Sequence, residues 1–194
     1  AISGFGQTGP RSSAAAYDAR LQGMSGLMSI TGHPESGPTR AGFAVVDAAT
    51  GMAAAFGIAS ALVQRSQTGE GQHLDVAMLD TAITMAAQPF VNYKATGEVQ
   101  PLIGNSSPAF LPTAGLFETG DGRLMISALT DGHWRGFCKA IDRDDLAEDP
   151  RFIDTEARRS NGAQVKIEME AGLASANAFD WEKRLAACGV PAAP

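Results

Sequence analysis

Hydrophobic and polar positions divide the chain into two textures. Residues 1–46 carry short apolar pieces punctuated by Gly, Ser and Pro, the pattern of loops and brief elements. Residues 3–10 read as a loop, 12–28 as a helix broken at Gly23 and Gly26, and 31–38 as a turn. From 48 to 67 the sequence is apolar nearly all round, which predicts a helix buried on every side. Asp47 stands at its expected N-cap, and Thr68-Gly69-Glu70-Gly71 supplies a C-terminal glycine stop. Residues 73–78 alternate like a short strand, and 80–93 read as a helix interrupted or kinked at Pro89.

The texture changes after Gly97. Residues 100–112 are irregular and rich in Pro, Ser and Asn. The pieces 116–118 and 123–128 flank Thr119-Gly120-Asp121-Gly122 and predict a β-hairpin. Helices are expected over 133–141, over 155–175 with weak points at Gly162 and Gly172, and over 178–188, closed by Gly189 and Pro191. Trp134 and Trp181 fall in the helical stretches as core anchors.

Composition narrows the class. With 194 residues the chain can build one ordinary domain or two small ones. Fifteen Lys+Arg against 21 Asp+Glu give a net charge of −6, which argues against a nucleic-acid partner. No apolar run reaches the length of a membrane span: the stretch 52–63 is short and Arg65 stops it. Cys138 and Cys188 lie far apart, as reduced thiols in a cytoplasmic protein do, and His33, His73 and His133 have no ligand spacing around them, so no metal is expected. The chain begins with Ala1 and opens straight into a motif, which suggests a piece of something longer.

Three motifs bear on chemistry. Gly4-Phe5-Gly6-Gln7-Thr8-Gly9 matches G-x-G-x-x-G letter for letter. A dinucleotide site needs a preceding strand and a helix opening at the third glycine; here three residues precede Gly4 and Pro10-Arg11-Ser12-Ser13 follow, so a tight loop is the plainer reading. Tyr17-Asp18 brings a phenol and a carboxylate just beyond that loop. Asp47 sits in a run otherwise apolar or small. It is either a helix cap or a nucleophile, and the two roles are compatible, because a helix N-terminus also offers N–H groups to an oxyanion.

The ordered set of these pieces resembles the class III CoA-transferase family, which includes the formyl-CoA, carnitine-CoA and bile-acid-CoA transferases. It runs from Ser3-Gly4-Phe5-Gly6-Gln7-Thr8-Gly9-Pro10 through Tyr17-Asp18, Gln22-Gly23-Met24-Ser25-Gly26, Asp47, Arg65, Thr68-Gly69-Glu70-Gly71-Gln72 and Asp75-Val76-Ala77-Met78. It continues through Asp121-Gly122, His133-Trp134, Asp149-Pro150-Arg151-Phe152, Arg158 and Gly189-Val190-Pro191. The resemblance implies transfer of CoA from an acyl-CoA thioester to a free carboxylic acid, with Asp47 as the nucleophile and Tyr17 and Asp18 lining the thiol end of CoA.

Coenzyme A then enters as the acyl-CoA substrate, and water must be kept from the intermediates. The related α-methylacyl-CoA racemases carry a histidine where Tyr17 stands, so racemisation is the weaker alternative, beside a non-catalytic nucleotide-binding module. A glycine-rich lid in the formyl-CoA enzymes is matched by Gly104-Asn105-Ser106-Ser107-Pro108-Ala109, with a single glycine, which argues against oxalate or formate.

The implied α/β fold is part of a Rossmann-like large domain followed by a smaller α/β domain, in homodimers whose chains interlock. Residues 1–78 correspond to the second part of the large domain, 79–103 to a connecting helix and linker, 104–186 to the small domain, and 187–194 to the start of a return to the large one. The chain is then expected to be the middle half of a longer protein.

Overall fold

A computed structural model describes all residues from 1 to 194. The chain is mixed α/β and separates into two compact units, Ala1–Gly104 and Asn105–Pro194. Residues 79–103, expected as a connector, pack with the first unit. The last residues, expected to begin a return to the large domain, join the second unit as an edge strand.

In the first unit, β1 (Ile2–Ser3) pairs in parallel with β4 (Val76–Ala77). Between them come α1 (Asp18–Met24), the hairpin of β2 (Gly32–His33) and β3 (Gly37–Pro38), and the long α2 (Val45–Thr68). Then follow α3 (Met78–Met85) and α4 (Ala87–Thr96). The predicted helix over 80–93 is thus two helices that meet at Ala86. Pro89 falls in the first turn of α4, where a missing N–H costs nothing. Helices α1, α2 and α3 pack on one another over a small core of Leu21, Val46 and Ala82, flanked by Phe5, Ala16, Leu27, Val45, Met78 and Leu79.

α2 departs from expectation in three ways. It begins at Val45, so Asp47 is its third residue and not its cap. Only the stripe Val46, Thr50 and Ala54, at spacing four, is buried; Met52, Phe56, Leu62 and Val63 are exposed. An apolar surface all round a helix is buried only where the chain supplies a neighbour, and α1 and α3 cover one side. Finally, its 24 residues rise about 36 Å, so this one helix is long and apolar enough, by length and composition, to cross a membrane. The expectation that no apolar run reaches that length therefore does not hold. The first turns of α2 are fastened to the protein, as described below. Its end follows expectation: Gly69 takes the left-handed conformation (φ +76°) and its N–H donates to the Arg65 carbonyl at 2.8 Å.

The second unit has the larger core. β5 (Ala114–Glu118) and β6 (Arg123–Ser127) form the predicted antiparallel hairpin, and β7 (Ala192–Ala193) pairs with β6. Around this sheet lie α5 (Asp131–Ala140), α6 (Asp145–Glu148), α7 (Thr155–Ser160), α8 (Gly162–Leu173) and α9 (Ala178–Ala187). The helix expected over 155–175 is broken at Asn161 into α7 and α8. Three of these helices carry local caps: the side chains of Thr130, Asp154 and Asn177 accept from the N–H groups of His133, Ala157 and Asp180.

Trp134 and Trp181 are buried as expected, and Trp134 stacks on Phe137 and meets Phe152 edge-on. The buried Arg158 lies over Trp134, donates to the Phe152 carbonyl at 2.8 Å and pairs with Asp131, whose carboxyl it holds below the usual range. Cys138 is buried in this core, and burial pushes its thiol up to about 12. A thiol-specific reagent at pH 8 should therefore modify the half-buried Cys188 first. Cys138 should react only at the rate at which the unit opens.

A candidate active site at the first turn of α2

The loop that carries the glycine motif is built by its neighbours. The Gly6 N–H donates to Ser3 Oγ at 3.0 Å and the Gln7 N–H to Asp75 Oδ2 at 2.7 Å. A Cβ at Gly4 would collide with the Cβ of Ala16, so the two ends of the loop can close only over a glycine. Gly4→Ala is expected to cost about 1–3 kcal/mol, read as a lower urea midpoint. The helix after this loop opens only at Asp18, and a carboxylate already takes the Gln7 N–H. Both facts run against a pyrophosphate cradle and the nucleotide-module alternative.

The loop delivers the chain to Tyr17 and α1. Tyr17 precedes the helix in an extended conformation, with its side chain out in solvent. Asp18 turns inward and is 8% exposed. Its Oδ1 accepts from the Val46 N–H at 2.7 Å and the Asp47 N–H at 3.4 Å, and its Oδ2 accepts from Gln22 Nε2 at 2.6 Å. Gln22 in turn accepts from the Ala41 N–H at 2.8 Å through Oε1. The carboxylate that caps α2 therefore comes from α1, 28 and 29 residues away in sequence. Asp18 and Gln22 together fasten the incoming segment and the first turn of the helix.

This arrangement joins Asp18 to the backbone of Asp47, with Tyr17 next to Asp18 in the chain and its side chain in solvent. Both oxygens of Asp18 are engaged inside the protein, which leaves Tyr17 as the member of the pair facing outward. Asp47 is exposed on the first turn, and no hydrogen bond or ion pair within the chain ties up its carboxylate. The expected supply of free N–H groups for an oxyanion is absent from this turn. Val45 donates to the Phe43 carbonyl, Val46 and Asp47 to Asp18, and Ala48 to the Ala44 carbonyl. Nor do these residues form the dry surroundings expected for Asp47. A mainly apolar hollow of about 180 Å³ lies at the far end of α1, between Ser25, Ile30, Phe90, Tyr93 and Val99, and none of the three candidates lines it.

Gln22, which no motif above singles out by itself, shares with Asp18 the holding of this turn. It lies in the segment Gln22-Gly23-Met24-Ser25-Gly26, and its spacing of four from Asp18 on one helix is the signal that marks it. Gly104, at the start of the segment matched to a lid, donates its N–H to the Gly32 carbonyl at 2.9 Å, which ties it to the β2–β3 hairpin.

Known proteins are similar to this chain along its whole length. A succinate–glutarate CoA-transferase of Agrobacterium fabrum is 38% identical over 198 residues, covering 100% of this chain and 48% of the relative. An acetyl-CoA:oxalate CoA-transferase of Acetobacter aceti is 37% identical, covering 99% of this chain and 49% of the relative. A crystal structure of a CAIB/BAIF family protein from Brucella suis superposes with a TM-score of 0.82 at 35% identity, over 100% of this chain and 51% of that one. The chain spans about half the length of these relatives. The family model of CoA-transferase family III matches residues 1–194, and the chain belongs to that family.

Proposed function

We propose that the protein carrying this chain moves CoA from an acyl-CoA thioester to a dicarboxylic acid, with Asp47 as the covalent nucleophile. The observation that carries this reading is the state of Asp47. Its carboxylate is free and exposed, on a helix turn that the buried Asp18 and Gln22 hold in place. A carboxylate nucleophile needs no general base at neutral pH, and a rigid turn lowers the entropic cost of presenting it.

Four bond exchanges complete the cycle. An Asp47 oxygen attacks the thioester carbonyl, the C–S bond breaks, and a mixed anhydride and CoA thiolate result. The thiolate attacks the Asp47 acyl carbon and releases the donor acid as its carboxylate. The acceptor carboxylate attacks the aspartyl thioester and expels the thiolate again. The thiolate then attacks the acceptor carbonyl, which forms the new acyl-CoA and restores the Asp47 carboxylate. One thioester is made for each one broken, so no further energy source is required.

The dicarboxylic acceptor is supported by relatives whose names specify succinate, glutarate and oxalate. A further relative, from Haloarcula hispanica, is named for succinyl-CoA and mesaconate. Racemisation is not favoured, because these relatives are transferases and Tyr17 stands where the racemases carry histidine. The Rossmann-like large domain and the interlocked homodimer belong to the same reading. They are supported by the apolar flank of α2, whose Met52, Phe56, Leu62 and Val63 need a cover, and such a cover would also supply the water exclusion that Asp47 lacks here. A cytoplasmic location, where acyl-CoA donors and reduced thiols are found, completes it.

The test is direct. The full-length protein, given succinyl-CoA and glutarate, should yield glutaryl-CoA and succinate in equal amounts by chromatography. Hydrolysis of succinyl-CoA with no new thioester, for this and every other acid offered, would overturn the proposal.

A further inference from the structure

Cations are distributed unevenly between the two units. All seven ion pairs of the chain lie between residues 118 and 170, in the second unit. The arginines of the first unit have no carboxylate partner. Two of them nevertheless converge on one ring: the Arg11 and Arg20 guanidinium carbons stand 5.9 and 5.4 Å from the centroid of Phe5. Neutral acceptors orient both, Met24 Sδ for Arg11 at 3.7 Å and the Ala15 carbonyl for Arg20. A π-face attracts each cation, and with no carboxylate paired to either, both guanidinium groups keep N–H donors for an anion.

Their position is equally specific. Phe5 packs in the same apolar cluster as Val45 and Val46, the two residues before Asp47. Arg20 follows Asp18 by two residues on α1. The fold thus ties two forked donors without carboxylate partners, through Phe5, to the cluster that carries the turn of Asp47, in a chain whose net charge is −6. Guanidinium groups match the paired oxygens of carboxylates and phosphates better than any other side chain.

We propose that Arg11 and Arg20, gathered on the Phe5 ring, bind the charged oxygens of the substrate that reaches Asp47. This inference rests on the transfer reading above. The anion is either the second carboxylate of a dicarboxylic acid or a phosphate of CoA, and the test separates the two sources.

The experiment compares the full-length protein with its Arg11→Gln/Arg20→Gln and Arg11→Lys/Arg20→Lys variants. Glutarate and butyrate serve as acceptors and succinyl-CoA as donor. The Kd of free CoA, which has phosphates and no carboxylate, is measured by calorimetry, and thermal unfolding is followed alongside. If the pair holds the second carboxylate, the glutamine variant raises the KM for glutarate about tenfold. The kcat and the butyrate KM then stay within twofold, and the lysine variant recovers part of the loss. If the pair holds phosphate, the CoA Kd weakens about tenfold and the ratio of glutarate to butyrate KM is unchanged. Either result supports the inference.

An unaltered glutarate KM together with an unaltered CoA Kd overturns it. So does an equal loss toward both acceptors, with unaltered CoA binding and a lowered unfolding temperature. Absence of transfer by the unaltered protein overturns the transfer reading separately, and the calorimetry still decides whether the arginines hold an anion.

Discussion

Asp47→Ala in the full-length protein is expected to lower kcat for CoA transfer by at least about 10³-fold, with the folded structure intact. The carboxylate is exposed and bonded to nothing inside the chain, so its removal leaves no buried partner unpaired and opens no cavity. Stability should change by less than about 0.5 kcal/mol, the ordinary cost of a surface substitution. Loss of turnover with an unchanged urea transition is the pattern expected of a nucleophile that does no structural work. Asp47→Asn sharpens the comparison, because it keeps the shape and removes the charge. It should be as inactive as the alanine variant. Activity in either variant within tenfold of the original protein would place the chemistry elsewhere.

Asp18→Ala should behave in the opposite way, with a large structural effect and an indirect catalytic one. The Val46 N–H loses its acceptor in a buried setting, and Gln22 Nε2 keeps only the long contact to the Phe43 carbonyl at 3.5 Å. Unsatisfied buried donors cost about 1–3 kcal/mol each, so a loss of about 2–4 kcal/mol is expected for the first unit. Against a typical total of about 5–15 kcal/mol, and with a core of only Leu21, Val46 and Ala82, this is a large share. Asp18→Asn should fall between the two. Its carbonyl can still accept from Val46, while its amide meets the Gln22 amide nitrogen, donor against donor. Urea unfolding of the three proteins, followed by circular dichroism, checks this order. Equal stability of all three would mean that the cap does not hold the turn.

What sequence could show depended on the distance over which each feature is determined. The β5–β6 hairpin, the glycine stop at Gly69 and the helix over 178–187 were legible because their signals are local. Thr130, Asp154 and Asn177 cap their helices with oxygens three residues from the N–H they satisfy. The start of α2 differs from expectation for the converse reason. Asp47 had the right identity for a cap, but the cap is Asp18, brought across by the packing of α1 on α2.

α2 is not buried on every side as its pattern predicts, because such a pattern shows what can be buried, not what is there to bury it. Among the site residues, the local pattern singles out Asp47 and the pair Tyr17-Asp18, the resemblance supplies their roles, and Gln22 is not among them. No composition or spacing rule would have joined Arg11 and Arg20 through Phe5, because a loop and a helix meet there only after folding.

The central claim is that the Asp47 carboxylate forms the covalent intermediate. Incubating the full-length protein with succinyl-CoA and then with hydroxylamine should convert that side chain to a hydroxamate. Peptide mass spectrometry should find the added mass on Asp47 in the segment from Phe43 to Arg65, dependent on the thioester. The same mass on a different carboxylate, or an unmodified Asp47 in protein that is actively transferring CoA, would contradict the account.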